Sequence, residues 1–448
     1  MKLLFNTDAS IEKLKALISK NAVGDYIYMY PPRQAYNRLD PKTAYGLVTE
    51  SLNRFSNLNL YFHFPFCKQI CSFCNLYTKV SKNKEEYAGY VKLLISELKM
   101  YEHLLYGKEI NTIYIGGGTP SLLDPRDINS LLSYLEVKKI CEIGKVPEVA
   151  MEVAPDTVEY SKFMELKDIG INRVNLGFQA ANLTELESIG RTHGVSTLSN
   201  SFEVIKKIGF SNVCIDLIYG LQNQTFETWK NSIEFVINYN PETICIYPLT
   251  LRLNTPYNKK GYTYIDGEIQ SKKYDFAVNA FHKAGYKQET HIRFIKENGG
   301  YLQKENHWRM QNILGIGAGA RSYLWDCDTR NNYGTITREK AYRHYTDSIT
   351  NNQIPITDGY LMTRDERMRK AIILNLISLD RGWFVGLFGE DILTFSPNIY
   401  ALEILGFLII SDTKIELTPM GLKHRDLIVQ LFFSKDVIDR TTNYLYKD

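Results

Sequence analysis

Strong charge is missing from this sequence. Its 53 Lys and Arg stand against 50 Asp and Glu, a net charge of +3, and no long basic run occurs. That argues against the basic stripe with which nucleic-acid-binding proteins neutralise phosphates, so no nucleic-acid partner is expected. Long apolar runs are missing too. No stretch approaches the roughly 20 residues that span a bilayer, so no membrane association is expected. The opening MKLLFNTDASIEKLKALISK has too short an apolar run for a secretory leader, with Asp8 and Glu12 close behind, and a cytoplasmic location is expected. Cysteine is scarce, seven in 448 residues, and Cys141, Cys214, Cys245 and Cys327 are scattered in no paired-disulfide pattern. Cys214 and Cys245 sit in apolar, strand-like runs and read as buried hydrophobes. There is no low-complexity segment and no clear repeat.

What is present is enough apolar sequence, 44% of the chain, for a large core in two or three domains. The 31 Tyr and 21 Phe favour deep, aromatic-lined pockets. Short, almost continuously apolar runs recur at 58–64, 112–116, 148–153, 173–177, 213–218 and 243–248. Amphipathic stretches lie between them. KEEYAGYVKLLISELKMY places Val91, Leu94, Ile95 and Leu98 at helical spacing, and FETWKNSIEFVINY does the same with Trp229, Ile233, Phe235 and Val236. Strands covered on both faces and alternating with helices predict parallel strands with crossover helices. The expectation is an α/β fold, a partial (β/α) barrel of about six parallel strands over 56–290. It is preceded by an N-terminal segment, 1–55, packed on the barrel, and followed by a connecting segment, 291–350, near the active site. From 351 to 448 the pattern changes to helix (RDERMRKAIILNLIS), helix (NIYALEILGFL), hairpin turning at Ser411–Thr413, and a last helix from Pro419. This predicts a small winged-helix-like α+β domain, more plausible as a buttress for the barrel than as a DNA reader given the weak charge.

Against the general scarcity, FHFPFCKQICSFCNLYT gathers Cys67, Cys71 and Cys74 just after the first strand. Three thiolates from one loop can hold three irons of a 4Fe–4S cluster and leave the fourth open to a small molecule. The alternative is a zinc site or chance, but structural zinc takes four ligands and no second Cys pair follows. YIGGGTPSLL (114–123), after the second strand, supplies Gly116, Gly117 and Gly118, whose missing side chains permit close backbone approach, followed by Thr119. Glu152 ends the third strand and can accept two ribose hydroxyls. Gln179 ends the fourth strand, Arg191 lies in ESIGRTH, Asp216 ends the fifth, and Tyr247 and Thr250 close the sixth. Each alone reads as a satisfied core polar group. Together they fall at the C-terminal ends of successive strands, the face on which β/α barrels build active sites.

The spacing Cys67-x3-Cys71-x2-Cys74 resembles the radical S-adenosylmethionine (SAM) superfamily. YFHFPFC, GGGTPSLL, INRVNLGFQ, IGRTH, IDLIYGLQNQT and LGIGAGARSY resemble, more closely, the oxygen-independent coproporphyrinogen III oxidase-like family. The resemblance implies a 4Fe–4S cluster on Cys67, Cys71 and Cys74 and two SAM molecules. Tyr61, Gly118 and Glu152 would serve the first SAM, Phe73, Gln179, Arg191, Asp216 and Thr250 would lie near the second, and Gly117 and Thr119 would also bind cofactor. The porphyrinogen oxidases of that family carry a further cysteine where this chain has Leu76. The haem chaperones carry HNxxYW, where this chain has QKENHW, with His307 in place of the Tyr. CSFCNLYT and YMYPPRQAYNRLDP (28–41) are similar instead to class C radical SAM methyltransferases, apart from Pro32-Arg33-Gln34. The expected function is therefore C-methylation, or methylene transfer with cyclopropanation, of an aromatic or heteroaromatic small molecule of natural-product type. An electron donor such as flavodoxin or ferredoxin would serve it. The alternatives are an anaerobic tetrapyrrole enzyme, opening haem or oxidising coproporphyrinogen, and a haem chaperone.

Overall fold

The computed structural model describes residues 7–20, 26–191, 193–252, 255–263, 266–332 and 337–443. Residues 1–6, where the leader reading begins, lie outside them. Among the described residues no helix is long and apolar enough to cross a membrane.

All six expected strands form, at Asn57–Phe64, Glu109–Gly117, Glu148–Val153, Arg173–Gln179, Asn212–Tyr219 and Thr243–Pro248. They pair side by side in chain order, each parallel to the last. Their apolar residues are buried on both faces. Phe62, Ile115, Val149, Val174, Ile215 and Ile244 are all at most 1% exposed, which explains why these strands read as continuous runs rather than as alternations. The crossover helices cover the outside. Lys84–Leu105 starts where the Asn83 side chain accepts from the Glu85 and Glu86 N–H groups, and it buries Val91, Leu94 and Leu98 against the sheet. Phe226–Tyr239 starts with a Thr225–Thr228 capping box and buries Trp229, Ile233 and Val236.

A seventh parallel strand, Ile313–Ile316, returns to pair outside the first, with Leu314 opposite Leu60. From it the sheet continues antiparallel through Arg321–Tyr323, Cys327–Asn331, Ile356–Leu361 and the short Asn37–Arg38, and beyond the sixth strand Arg293–Ile295 and Lys287–Gln288 add antiparallel at the other edge, giving thirteen strands among the described residues. The segment expected to connect two domains therefore extends the barrel sheet itself. Helix Lys84–Leu105 is tied to this extension by Glu97, fully buried, which accepts from the Gly317 N–H (2.7 Å), the Tyr345 hydroxyl (2.7 Å) and Asn331 Nδ2 (2.6 Å).

The N-terminal segment divides. Helix Pro41–Arg54 buries Ala44, Val48 and Leu52 in the barrel core, while helix Asp8–Lys20 puts Leu14 into the C-terminal core. Tyr30 is fully buried there and donates to Glu366 at 2.5 Å. The C-terminal part carries the expected hairpin, Leu408–Ile410 with Lys414–Leu417, plus a third strand, Ser378–Asp380. Its expected last helix is broken into Pro419–Lys423, Arg425–Ile428 and a 3-10 turn, Val429–Phe432, and a further helix, Lys435–Thr442, follows. The break has a cause. Arg425 is drawn inward to donate to the Ile373 carbonyl (2.7 Å) and to Asp426, burying charge where a continuous amphipathic helix would have kept it out.

Met310, Tyr360 and Met362 from the barrel side belong to the same apolar cluster as Ile372, Phe384 and Ile428, so the C-terminal part is packed onto the sheet extension. A buried ion pair crosses this boundary, Lys370 Nζ to Asp328 Oδ1 at 2.7 Å, with both side chains at most 3% exposed. Removing one member of such a pair strands the other, at a cost of about 3–5 kcal/mol. Lys370→Ala should lower stability by that order in urea unfolding, and adding Asp328→Asn should recover much of it. Equal stability of Lys370→Ala and wild type would mean that the pair does not hold the two parts together.

Candidate cofactor site

The C-terminal ends of the parallel strands open into two adjoining chambers. The first, about 400 Å³, is lined by Cys67, Cys71, Phe73, Cys74, Gly117–Thr119, Glu152, Gln179, Arg191, His193 and Asp216. Of the residues expected from sequence, all three cysteines and all but two of the SAM residues meet there. Tyr61 lines the second chamber instead, and Thr250 lines neither. The second chamber, about 300 Å³, has walls of Tyr26, Tyr28, Tyr61, Tyr77, Tyr114, Tyr247, Tyr301 and Tyr323, with His63, Lys304, His307 and Arg321 among them. Leu76, Glu152, Asn175 and Asp216 border both.

The cysteine loop is shaped by backbone bonds. Gly118 N–H donates to Phe64 O at 2.7 Å and Thr119 N–H to Phe66 O at 2.8 Å, which draws the glycine turn against the loop. A Cβ on Gly118 would sit 2.5 Å from Phe66 O and 2.9 Å from Cys67 Sγ, so only glycine fits. Gly117 has φ +117°, and a Cβ there would strike the His63 ring. His63 Nε2 donates to Tyr77 O at 2.8 Å, so its Nδ1 accepts from the Tyr61 hydroxyl at 2.9 Å. Burial pushes this imidazole down to about 4, and it stays neutral. Thr119 Oγ1 donates to Cys67 Sγ at 3.5 Å. Burial raises the Cys67 thiol to about 11 and the Cys74 thiol to about 12, so metal uptake here releases protons.

Glu152 accepts from the Gly117 N–H at 2.8 Å and from the Tyr114 hydroxyl at 3.0 Å. Burial pushes its carboxyl up to about 7. Gln179 stands at φ +73° on a bulge in the fourth strand, an unfavourable conformation for a side chain of its size, and this turns it into the cavity. Arg191 Nη1 donates to the Gly177 carbonyl at 2.7 Å. Burial pushes Asp216 up to about 6 against the pull of Arg173. Sequence reasoning passed over His193, inside the quoted IGRTH. Burial lowers it to about 4, and its Nε2 has no partner. It also passed over the tyrosine chamber, whose walls come from segments far apart in the chain.

A 4Fe–4S cluster fits the donor set: three thiols from one loop facing one cavity, with no fourth cysteine beside them. SAM fits the glycine turn and Glu152. When bound, the cluster and SAM supply one-electron reductive cleavage of the sulfonium. The chain's own residues hold the cofactors, orient them and exclude water.

These features define a radical SAM protein, and the model described as the radical SAM superfamily matches residues 61–236. The heme chaperone HemW of Buchnera aphidicola subsp. Acyrthosiphon pisum is 33% identical over 304 residues, 66% of this chain and 77% of the relative. HemW of Bacillus subtilis is 28% identical over 371 residues, covering 81% and 95%. The fold matches the structure of coproporphyrinogen III oxidase (HemN) from Escherichia coli with a TM-score of 0.78 at 20% identity, covering 93% of this chain and 98% of that one. Within the superfamily the chain belongs to the oxygen-independent coproporphyrinogen III oxidase-like family.

The expected class C methyltransferase, with its natural-product substrate, is corrected by these relatives, which are named heme chaperones. The structure gives the reason that the local motif misled. In YMYPPRQAYNRLDP, Tyr30 and Ala35 are buried in the C-terminal core, and Asn37–Arg38 pairs with Ile356–Leu361. Tyr28 accepts from Arg321 Nη1 at 2.9 Å. The element fastens the ends of the chain together through Tyr30, while its Tyr28 forms part of the second chamber's wall.

Gly118→Ala should push the cysteine loop away from the glycine turn. Wild type should take up about four iron and four sulfide on anaerobic reconstitution, and the variant less than half of that. Full loading of Gly118→Ala would show that the close approach is not needed.

Proposed function

We propose that this chain is a haem-binding radical SAM protein of the haem-chaperone type, holding the macrocycle in the tyrosine-walled chamber beside the cluster cavity. The observation that carries the reading is the composition of that chamber. A haem needs flat apolar faces, cations for its two carboxylates and a ligand for its iron. The chamber offers stacked rings, with Tyr114 between Tyr61 and Tyr301 at centroid separations of 5.9 and 5.3 Å. It offers Lys304 and Arg321 as cations. His307, 3% exposed, is T-packed against Tyr323 at 4.5 Å, and its Nε2 has no hydrogen-bond partner. Burial, with Lys370 and Lys304 adding to it, holds this imidazole well below its ordinary range. A neutral imidazole is the form that binds iron. The names of the relatives support the same reading.

Under this reading the cluster and SAM regulate haem binding, and haem replaces the broader aromatic or heteroaromatic partner expected from sequence. One SAM would sit against Gly117–Thr119 and Glu152. A second would have to share the same cavity with Gln179, Arg191 and Asp216. Leu76, 41% exposed at the border of both chambers, stands where the porphyrinogen oxidases have a cysteine, which weighs against coproporphyrinogen oxidation. A flavodoxin or ferredoxin would reduce the cluster.

Haem titrated into the reconstituted full-length protein should give saturable one-to-one binding with a shifted Soret band. His307→Ala should weaken it about tenfold or more, consistent with the loss of one ligand bond. On incubation with SAM and a reductant the haem should be recovered intact. No saturable binding, or conversion of the haem to a linear tetrapyrrole, would overturn the chaperone reading.

A further inference from the structure

Beneath the two chambers, on the inner face of the barrel, the fifth strand points Cys214 and Asp216 the same way, two residues apart. The register of the sixth strand sets Cys245 opposite Asp216. The three side chains converge. Cys214 Sγ lies 3.8 Å from Cys245 Sγ and 3.7 Å from Asp216 Oδ1, and all three ligand atoms lie within 4.8 Å of one another. Both thiols are at most 2% exposed. Two cysteines serving only as apolar filler have no reason to aim at a buried carboxylate.

We propose that Cys214, Cys245 and Asp216 form a binding site for a thiophilic divalent cation of the zinc class, separate from the cysteines of the cluster loop. The distances carry it. Tetrahedral zinc with bonds of about 2.3 Å to sulfur and about 2.0–2.2 Å to oxygen has ligand–ligand edges of about 3.8 Å between sulfurs and about 3.5 Å between sulfur and oxygen. The observed 3.8 and 3.7 Å match two of the three edges, and the third, Cys245 Sγ to Asp216, lies within 4.8 Å. A fourth ligand would come from the chambers that Asp216 borders.

Two buried guanidinium groups lie beside the thiols. Two thiolates and a carboxylate around a dication leave one net negative charge in the barrel interior. Arg293 is the register partner of Cys245, and Arg173 is aligned with Cys214 through Asn175. Both guanidinium groups are at most 3% exposed, and the Nη2 of each lacks a hydrogen-bond partner. Glu148 pairs with Arg173, and Glu289 and Glu305 with Arg293, so both guanidinium groups are already offset by carboxylates other than the thiols' own anions.

The test uses the full chain with Cys67, Cys71 and Cys74 all changed to Ser, which removes the other thiol cluster. This protein should retain about one zinc per chain, and cobalt in its place should give thiolate charge-transfer and tetrahedral d–d absorption. Cys214→Ser with Cys245→Ser should abolish both. Asp216→Asn should keep the charge-transfer band, move the d–d bands and lower cobalt affinity at least about tenfold. Should the serine variants not fold, zinc X-ray absorption on the wild-type holoprotein decides, with two sulfur neighbours expected. Three outcomes would each overturn the site: no zinc above the Cys214→Ser/Cys245→Ser level, a zinc shell without two sulfurs, or a Cys214–Cys245 disulfide in peptide mapping.

Discussion

Two backbone hydrogen bonds, Gly118 N–H to Phe64 O and Thr119 N–H to Phe66 O, carry the ladder of the first two strands past the end of the barrel. The cysteine loop is thereby attached to the sheet. The loop continues the first strand and the glycine turn continues the second, so their separation is set by strand pairing and not by loop flexibility. Glu152, on the next strand, ties the turn down through the Gly117 N–H at 2.8 Å. The Lys79 N–H returns to Pro65 O at 2.7 Å and closes the far side of the loop. Three neighbouring strands thus fix the positions of thiols, turn and carboxylate relative to one another. A constellation that must bind a cluster and a chelating small molecule together needs this kind of rigid support.

The same constraint explains what could be read from the sequence. The six core strands were legible because burial on both faces leaves an unbroken apolar run, and the site residues because they occupy strand ends. The seventh parallel strand was not. Its segment, LGIGAGARSY, carries glycine at 315, 317 and 319, and a Cβ at Gly315 would collide with the Arg321 backbone, so its composition answers to close backbone approach and not to strand propensity. Cys327–Asn331 was hidden for the opposite reason. CDTRN is polar, yet all five residues are buried, because Asp328 is paired with Lys370, Arg330 with Asp358 and Asn331 with Glu97. Such satisfaction comes from long-range partners that no local pattern displays.

The second chamber shows the limit of motif reading from the other direction. Tyr28, Tyr61, Tyr114, Tyr247, Tyr301 and Tyr323 come from six separate segments of the chain, and no single motif contains two of them. Only the abundance of tyrosine pointed to such a wall. The local run that favoured methyl transfer was a weaker guide than the whole-core likeness, because a short element can be kept for fastening the chain. Tyr30 and Tyr28 do that, reaching Glu366 on one side and Arg321 on the other.

Polarity inside the barrel is layered. At the mouth are groups that can meet a ligand: the loop thiols, Glu152, Gln179 and Arg191. One layer down, Asn175 donates to the Tyr114 hydroxyl, and Tyr114 donates to Glu152, so the carboxylate is aligned from below. Deeper still, Arg173 covers the Tyr301 ring at 4.3 Å and pairs with Glu148, whose carboxylate also accepts from the Leu302 and Gln303 N–H groups. A buried guanidinium in that position does two things. It offsets carboxylates above it in a region where uncompensated charge is costly, and it lowers the cost of ionising the neighbouring Asp216 and Cys214. The floor of the barrel is therefore an electrostatic base for the anions at its mouth.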